Sequence, residues 1–116
     1  SKTGVIFTAI VQMAALLADV SDETMKALTM YGDQLGLAFQ ITDDILDVVG
    51  SEKEMGKPVG SDEKNHKTTY VSLLGVEGAR EEAKQTTARA LAALQEFDEN
   101  AEFLRQLVIY LEQRVQ

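Results

Sequence analysis

Apolar residues run almost unbroken through residues 5–18, interrupted only by Thr8 and Gln12. A segment that is apolar nearly all round predicts a buried helix. It falls short of the roughly 20 residues that a membrane span needs, and its flanks are too poor in bases for a signal peptide. Ser21-Asp22-Glu23 reads as a helix start, a capping hydroxyl followed by acids in the first turn. From there the helical pattern continues without a proline to Val49, where Gly50 is placed to end it. Gly32 and Gly36 lie inside that helix at a cost of about 1 kcal/mol each relative to Ala, and this predicts close approach of another backbone or a ligand. Residues 50–66 hold three glycines, Pro58 and alternating acids and lysines, the pattern of a long functional or mobile loop. A short helix is expected over residues 70–74, broken at Gly75. Residues 77–97 form an amphipathic helix with Ala83, Ala90, Leu91 and Leu94 inward and Arg80, Lys84 and Arg89 outward. Asp98-Glu99-Asn100 breaks the chain before a last amphipathic helix over residues 101–115. No segment alternates as a strand does and no repeat is present, so the reading is an all-α helical bundle.

Composition narrows the function classes. The 116 residues are 45% hydrophobic and 26% charged, which fits a single α-helical domain over residues 1–116 with an ordinary core. No Cys is present, which excludes a disulfide scaffold, a thiolate metal site and a Cys nucleophile, and suits a reducing, cytoplasmic compartment. Nineteen acids against eleven bases give a formal charge of −8. That balance argues against nucleic acid and against an anionic membrane surface as partners. His66 is the single histidine, so a di-iron bundle with Glu-x-x-His on two helices is excluded. Met13, Met25, Met30 and Met55 read as packing or surface residues. The chain opens on Ser1, and Lys2-Thr3-Gly4 leads straight into the apolar stretch, as in a chain entered partway through a fold.

The stretch that carries chemistry is Gly36-Leu37-Ala38-Phe39-Gln40-Ile41-Thr42-Asp43-Asp44-Ile45-Leu46-Asp47. At roughly 100° per residue, Asp43, Asp47 and Asp44 fall at about 0°, 40° and 100°, with Gln40 near 60° and Gly36 near 20°. Three like charges on one face repel unless a cation or water screens them. Oxygen ligands without His or Cys suit Mg²⁺, whose remaining positions waters and a phosphate would fill. Taken alone, this spacing is more often a solvated acidic stripe. Here the apolar flanks Phe39, Ile41, Ile45, Leu46 and Val48 predict that the acids sit in a cleft. Lys57 and Lys67 follow the acidic helix; singly each is an ordinary surface lysine, and together on a mobile loop they would suit a diphosphate.

The run Gly36-Leu-Ala-Phe39-Gln40-Ile-x-Asp43-Asp44-Ile-Leu-Asp47 resembles the second aspartate-rich motif of the trans-isoprenyl diphosphate synthases. Lys2-Thr3-Gly4 upstream matches in order, as do Gly56-Lys57, Gly60-x-Asp62, Lys67-x-Thr69-Tyr70, Leu73-Leu74-Gly75 and Tyr110-Leu-x-x-Arg114. The likeness spans essentially the whole chain and is nearest to bacterial farnesyl diphosphate synthases, or geranyltranstransferases. It implies the C-terminal half of the isoprenoid synthase fold and a head-to-tail condensation of an allylic diphosphate with isopentenyl diphosphate, yielding a farnesyl or geranylgeranyl chain.

By the same resemblance Asp43 would ligate Mg²⁺, Asp44 and Asp47 would complete the acidic face, and Asp62 would lie in the outer shell. Lys2, Lys57 and Lys67 would hold the allylic diphosphate, and Thr3 and Gln40 would sit near the developing cation. Phe39 would line the isopentenyl site and Arg114 would belong to a closing tail. Gln116 stands where the family often has another base. The family's first aspartate-rich motif, its isopentenyl-binding bases and its chain-length positions lie upstream of Lys-Thr-Gly and are not in this sequence. The expectation is therefore a fragment that is inactive alone, that leaves its first helix short of a packing partner, and that forms a homo-oligomer, a homodimer above all. The rival readings are a non-catalytic helical subunit that pairs with a synthase, and a terpene cyclase.

Overall fold

The computed structural model describes residues 2–55 and 68–116 and builds them from four helices: α1 (Lys2–Leu17), α2 (Asp22–Met55), α3 (Tyr70–Ala93) and α4 (Glu102–Gln113), with a 3₁₀ turn at Glu99–Ala101. Among the described residues there is no strand, and the fold is all-α as the pattern predicts. Helix α1 ends where Asp19 takes a left-handed φ of 56°. The Val20 amide then reaches back to the Ala15 carbonyl (3.3 Å) and the Asp19 amide to that of Leu16 (3.1 Å), a helix stop normally given to glycine. Helix α2 starts as expected, the Thr24 amide donating to the Ser21 hydroxyl at 3.1 Å. At about 1.5 Å per residue it accounts for the 51 Å length of the molecule.

Helix α2 is the spine. Its Tyr31, Leu35 and Ala38 join Ala90 of α3, Leu94 just past the end of α3, and Val108 and Leu111 of α4 in one buried cluster. Ile41 and Ile45 join Ala79, Ala83 and Val115 in a second. The Tyr31 hydroxyl donates to the Leu104 carbonyl at 2.8 Å, which ties α2 to α4, and burial pushes its pKa up to about 12. Arg105 gathers the chain end of α3, donating to the carbonyls of Leu94 (3.0 Å), Phe97 (2.5 Å) and Asp98 (3.1 Å). The inward positions predicted for α3 hold: Ala83, Ala90 and Leu94 are buried and Leu91 is half-buried. Lys84 and Arg89 face solvent, whereas Arg80 is half-buried because it donates to the Val115 carbonyl at 2.5 Å.

Three expectations change. Helix α1 is not buried: among the described residues it packs against α2 alone, only Ala15 of residues 4–17 is buried, and Ile6, Ile10, Met13 and Leu17 are 57%, 58%, 61% and 87% exposed. One neighbour can cover only one stripe of a helix that is apolar on all sides. Gly50 does not end α2, which continues to Met55. A glycine stops a helix by turning left-handed, and among the described residues only Gly75 and Asp19 have positive φ. The break at Gly75 is present, but as a kink (φ 78°, ψ 168°) inside the continuous span of α3. No described helix is long and apolar enough to cross a membrane.

Candidate active site on the aspartate face of α2

The two helix glycines explain how α1 lies on α2. A Cβ at Gly36 would sit 2.6 Å from the Gly4 Cα, and one at Gly32 would sit 3.1 Å from the Thr8 Cα. The backbones therefore touch where the sequence predicts close approach. Polar bonds fix the register along this contact: the Thr8 hydroxyl donates to Asp33 at 2.6 Å and the Gln12 amide to the Thr29 hydroxyl at 3.2 Å. The crossing leaves a groove of about 520 Å³ with Thr8, Asp33, Gly36, Gln40 and Tyr70 among its walls. Sequence reasoning missed Thr8, Asp33 and Tyr70 as groove residues. Their partners are on other helices and no local spacing encodes them.

Gln40 connects the groove to the acids. Its amide donates to Asp44 Oδ1 at 3.3 Å, and the backbone N–H of Tyr70 donates to Asp44 Oδ2 at 3.1 Å. Asp44 is half-buried, whereas Asp43 and Asp47 are exposed. The expected cleft thus encloses Asp44 alone, because among the described residues no second helix covers the face that Asp43 and Asp47 share. Burial raises the Tyr70 phenol pKa, and the Glu82 and Asp44 carboxylates raise it further.

Helix geometry keeps the neighbouring apolar side chains off this face. Ile41 and Ile45, about half a turn away from Asp43, enter the core. The buried Thr42 hydroxyl donates to the Ala38 carbonyl at 2.8 Å. The half-buried Phe39 packs its ring on Phe7, with centroids 5.6 Å apart. Among the described residues no three acids or histidines converge closely enough to enclose a cation. Asp43 and Asp47, one turn apart, offer an open pair of oxygen donors. Mg²⁺ commonly takes one or two carboxylates and completes its shell with water and substrate phosphate, so the donor set fits.

Other predicted site residues fall elsewhere. Lys2 and Thr3 open α1. Lys57, Asp62 and Lys67 lie outside the described residues. Arg114 is exposed, its guanidinium 5.9 Å from the centroid of the Tyr110 ring. The adjoining Val115 packs with Ile41 and Ile45, so the tail lies on the flank of α2 turned away from Asp43.

A family model described as polyprenyl synthetase matches residues 1–110. Dimethylallyltranstransferase of Fischerella ambigua is 42% identical over 110 residues, covering 95% of this chain and 32% of the relative. Farnesyl diphosphate synthase of Micrococcus luteus is 40% identical over 116 residues, covering 97% of this chain and 39% of the relative. Geranylgeranyl diphosphate synthase of Cyanophora paradoxa is 39% identical over 100 residues, covering 86% and 33%. The chain spans about a third of the length of these curated relatives.

Proposed function

The chain belongs to the polyprenyl synthetase family, and from that premise we propose that the aspartate face of α2 is the diphosphate end of a prenyl-transfer site. The reaction is the condensation of an allylic diphosphate with isopentenyl diphosphate. The allylic C–O bond breaks, the isopentenyl double bond supplies the electrons of the new C–C bond, and a proton leaves, giving a farnesyl or geranylgeranyl chain. Asp43 and Asp47 would hold Mg²⁺ from the exposed face, with Asp44 beside them, and Asp62 would serve the outer shell. Bound there, Mg²⁺ would neutralise the charge that grows on the departing diphosphate.

The remaining groups belong to this chain. Lys2, Lys57 and Lys67 offer ammonium groups to the diphosphate. Gln40 and Thr3 would contribute polar groups near the allylic end. Phe39 supplies an apolar wall for the isopentenyl unit, and Arg114 belongs to the tail. The protein works in the cytoplasm as a homodimer. The observation that carries the reading is the pair of exposed carboxylates one turn apart, on a helix whose other flanks are committed to packing.

The test extends the chain to the length of its relatives and supplies radiolabelled isopentenyl diphosphate with an allylic diphosphate and Mg²⁺. Chain elongation supports the proposal; cyclisation indicates a terpene cyclase, and no turnover by a folded, metal-loaded protein indicates a non-catalytic subunit. The 116 residues alone are expected to give no elongation.

A further inference from the structure

The three aspartates of α2 look equivalent in the sequence, and the fold separates them. Helix α3 begins with a capping box: the Ser72 amide donates to the Thr69 hydroxyl (3.0 Å) and the Thr69 amide to the Ser72 hydroxyl (2.8 Å). That reciprocal pair cannot reach the amide of Tyr70, one of the donors that the first turn leaves without an intrahelical partner. Asp44, 26 positions earlier and on another helix, accepts it at 3.1 Å. Its other oxygen accepts from Gln40, so both carboxylate oxygens are engaged. A negative charge at a helix N-terminus is also favoured by the macrodipole. Asp43 and Asp47 have the opposite character, exposed and pointed away from the core clusters.

We infer that Asp44 is a positioning residue: it fastens the N-terminus of α3 to the aspartate face of α2 and leaves cation binding to Asp43 and Asp47. The division of labour deepens the Mg²⁺ reading above and rests on it, whereas the fastening itself needs no metal. A cation at Asp44 would have to compete with Gln40 and the first amide of α3 for its oxygens, whereas Asp43 and Asp47 are exposed. Asparagine at this position keeps an oxygen for the Tyr70 amide and loses the charge; alanine loses both.

Amide hydrogen exchange and Mn²⁺ titration by paramagnetic broadening, on the 116-residue chain, separate the two roles. Asp44→Ala is expected to speed exchange at the Tyr70 amide by roughly tenfold or more, and Asp44→Asn by about threefold or less, as expected for losing or keeping one charge-assisted bond. Asp43→Asn is expected to abolish Mn²⁺ broadening along residues 43–47, whereas Asp44→Asn retains it with affinity within about fivefold, the effect of one screened charge. Equal loss of Mn²⁺ binding in Asp43→Asn and Asp44→Asn overturns the inference. So does a Tyr70 amide that Asp44→Ala leaves unmoved. If Asp44→Ala does not fold, the two asparagine variants decide through Mn²⁺ binding alone. If the unaltered chain binds no Mn²⁺, the metal reading of α2 fails, while faster Tyr70 exchange in Asp44→Ala still supports the fastening role.

Discussion

Replacing Gly36 by Ala tests how α1 is seated on α2. The new Cβ would stand 2.6 Å from the Gly4 Cα and 3.3 Å from the Gly4 carbonyl oxygen. Carbons out of bonding settle at about 3.5–4.0 Å, so the helices must part by about 1 Å. Both obstructing atoms are backbone, and no side-chain rotation can relieve them. Overpacking of this kind costs about 1–3 kcal/mol, set against a gain of about 1 kcal/mol in helix propensity. The expected net loss is about 0–2 kcal/mol. Gly32 is the intermediate case, its Cβ 3.1 Å from the Thr8 Cα, and Gly32→Ala should be close to neutral. Gly50 has nothing within 4 Å, so Gly50→Ala should stabilise by up to about 1 kcal/mol. Urea unfolding followed by circular dichroism ranks the three. A spread of about 1–3 kcal/mol between Gly50→Ala and Gly36→Ala is a midpoint separation of about 0.7–2 M at a slope of about 1.5 kcal/mol per M. A Gly36→Ala protein as stable as Gly50→Ala would refute the close-contact argument.

Arg105→Met should lower stability by about 2 kcal/mol in the same assay, since it strips the carbonyls of Leu94, Phe97 and Asp98 of one shared donor; a loss under about 0.5 kcal/mol would deny it that role. Tyr31 binds its proton more tightly folded, at about 12, than unfolded, near 10. Its contribution is therefore complete below about pH 10 and falls as pH rises toward 12; Tyr31→Phe should flatten that decline while costing about 1 kcal/mol near neutrality. In the chain extended to the length of its relatives, Asp43→Asn should slow turnover by about a hundredfold to a thousandfold, with Asp47→Asn costing less, whereas a solvated-face role predicts almost no change in either. The exposed stripe of Ile6, Ile10, Met13 and Leu17 should drive self-association; sedimentation as a monomer across micromolar concentrations would contradict it.

Helix existence was legible because the apolar period, the Ser21 cap and the acids after it are local signals. The meaning of Gly32 and Gly36 was legible for a related reason: a glycine inside a long helix has a cost that some close contact must offset. What covers α1 was not, since hydropathy records what a segment avoids and not which neighbour relieves it. The end of α2 was misplaced because glycine permits a left-handed turn without compelling one. Arg105 went unnoticed for want of any local mark, as its three acceptors lie seven to eleven positions away across a turn.

The candidate site divides along the same line. The period of about 3.6 residues that sends Ile41 and Ile45 into the core also turns Asp43 and Asp47 outward, so their shared face could be read from spacing. The different condition of Asp44 could not. Its neighbours on α2 resemble those of the other two acids, and only the arrival of α3 gives one carboxylate a backbone amide to hold. A one-residue displacement of α3's start would bring a different amide to that position and put the capping box out of register with Thr69 and Ser72. The acidic stripe and the start of α3 are thus set by one another, and the role of each aspartate follows from which neighbouring element claims its oxygens.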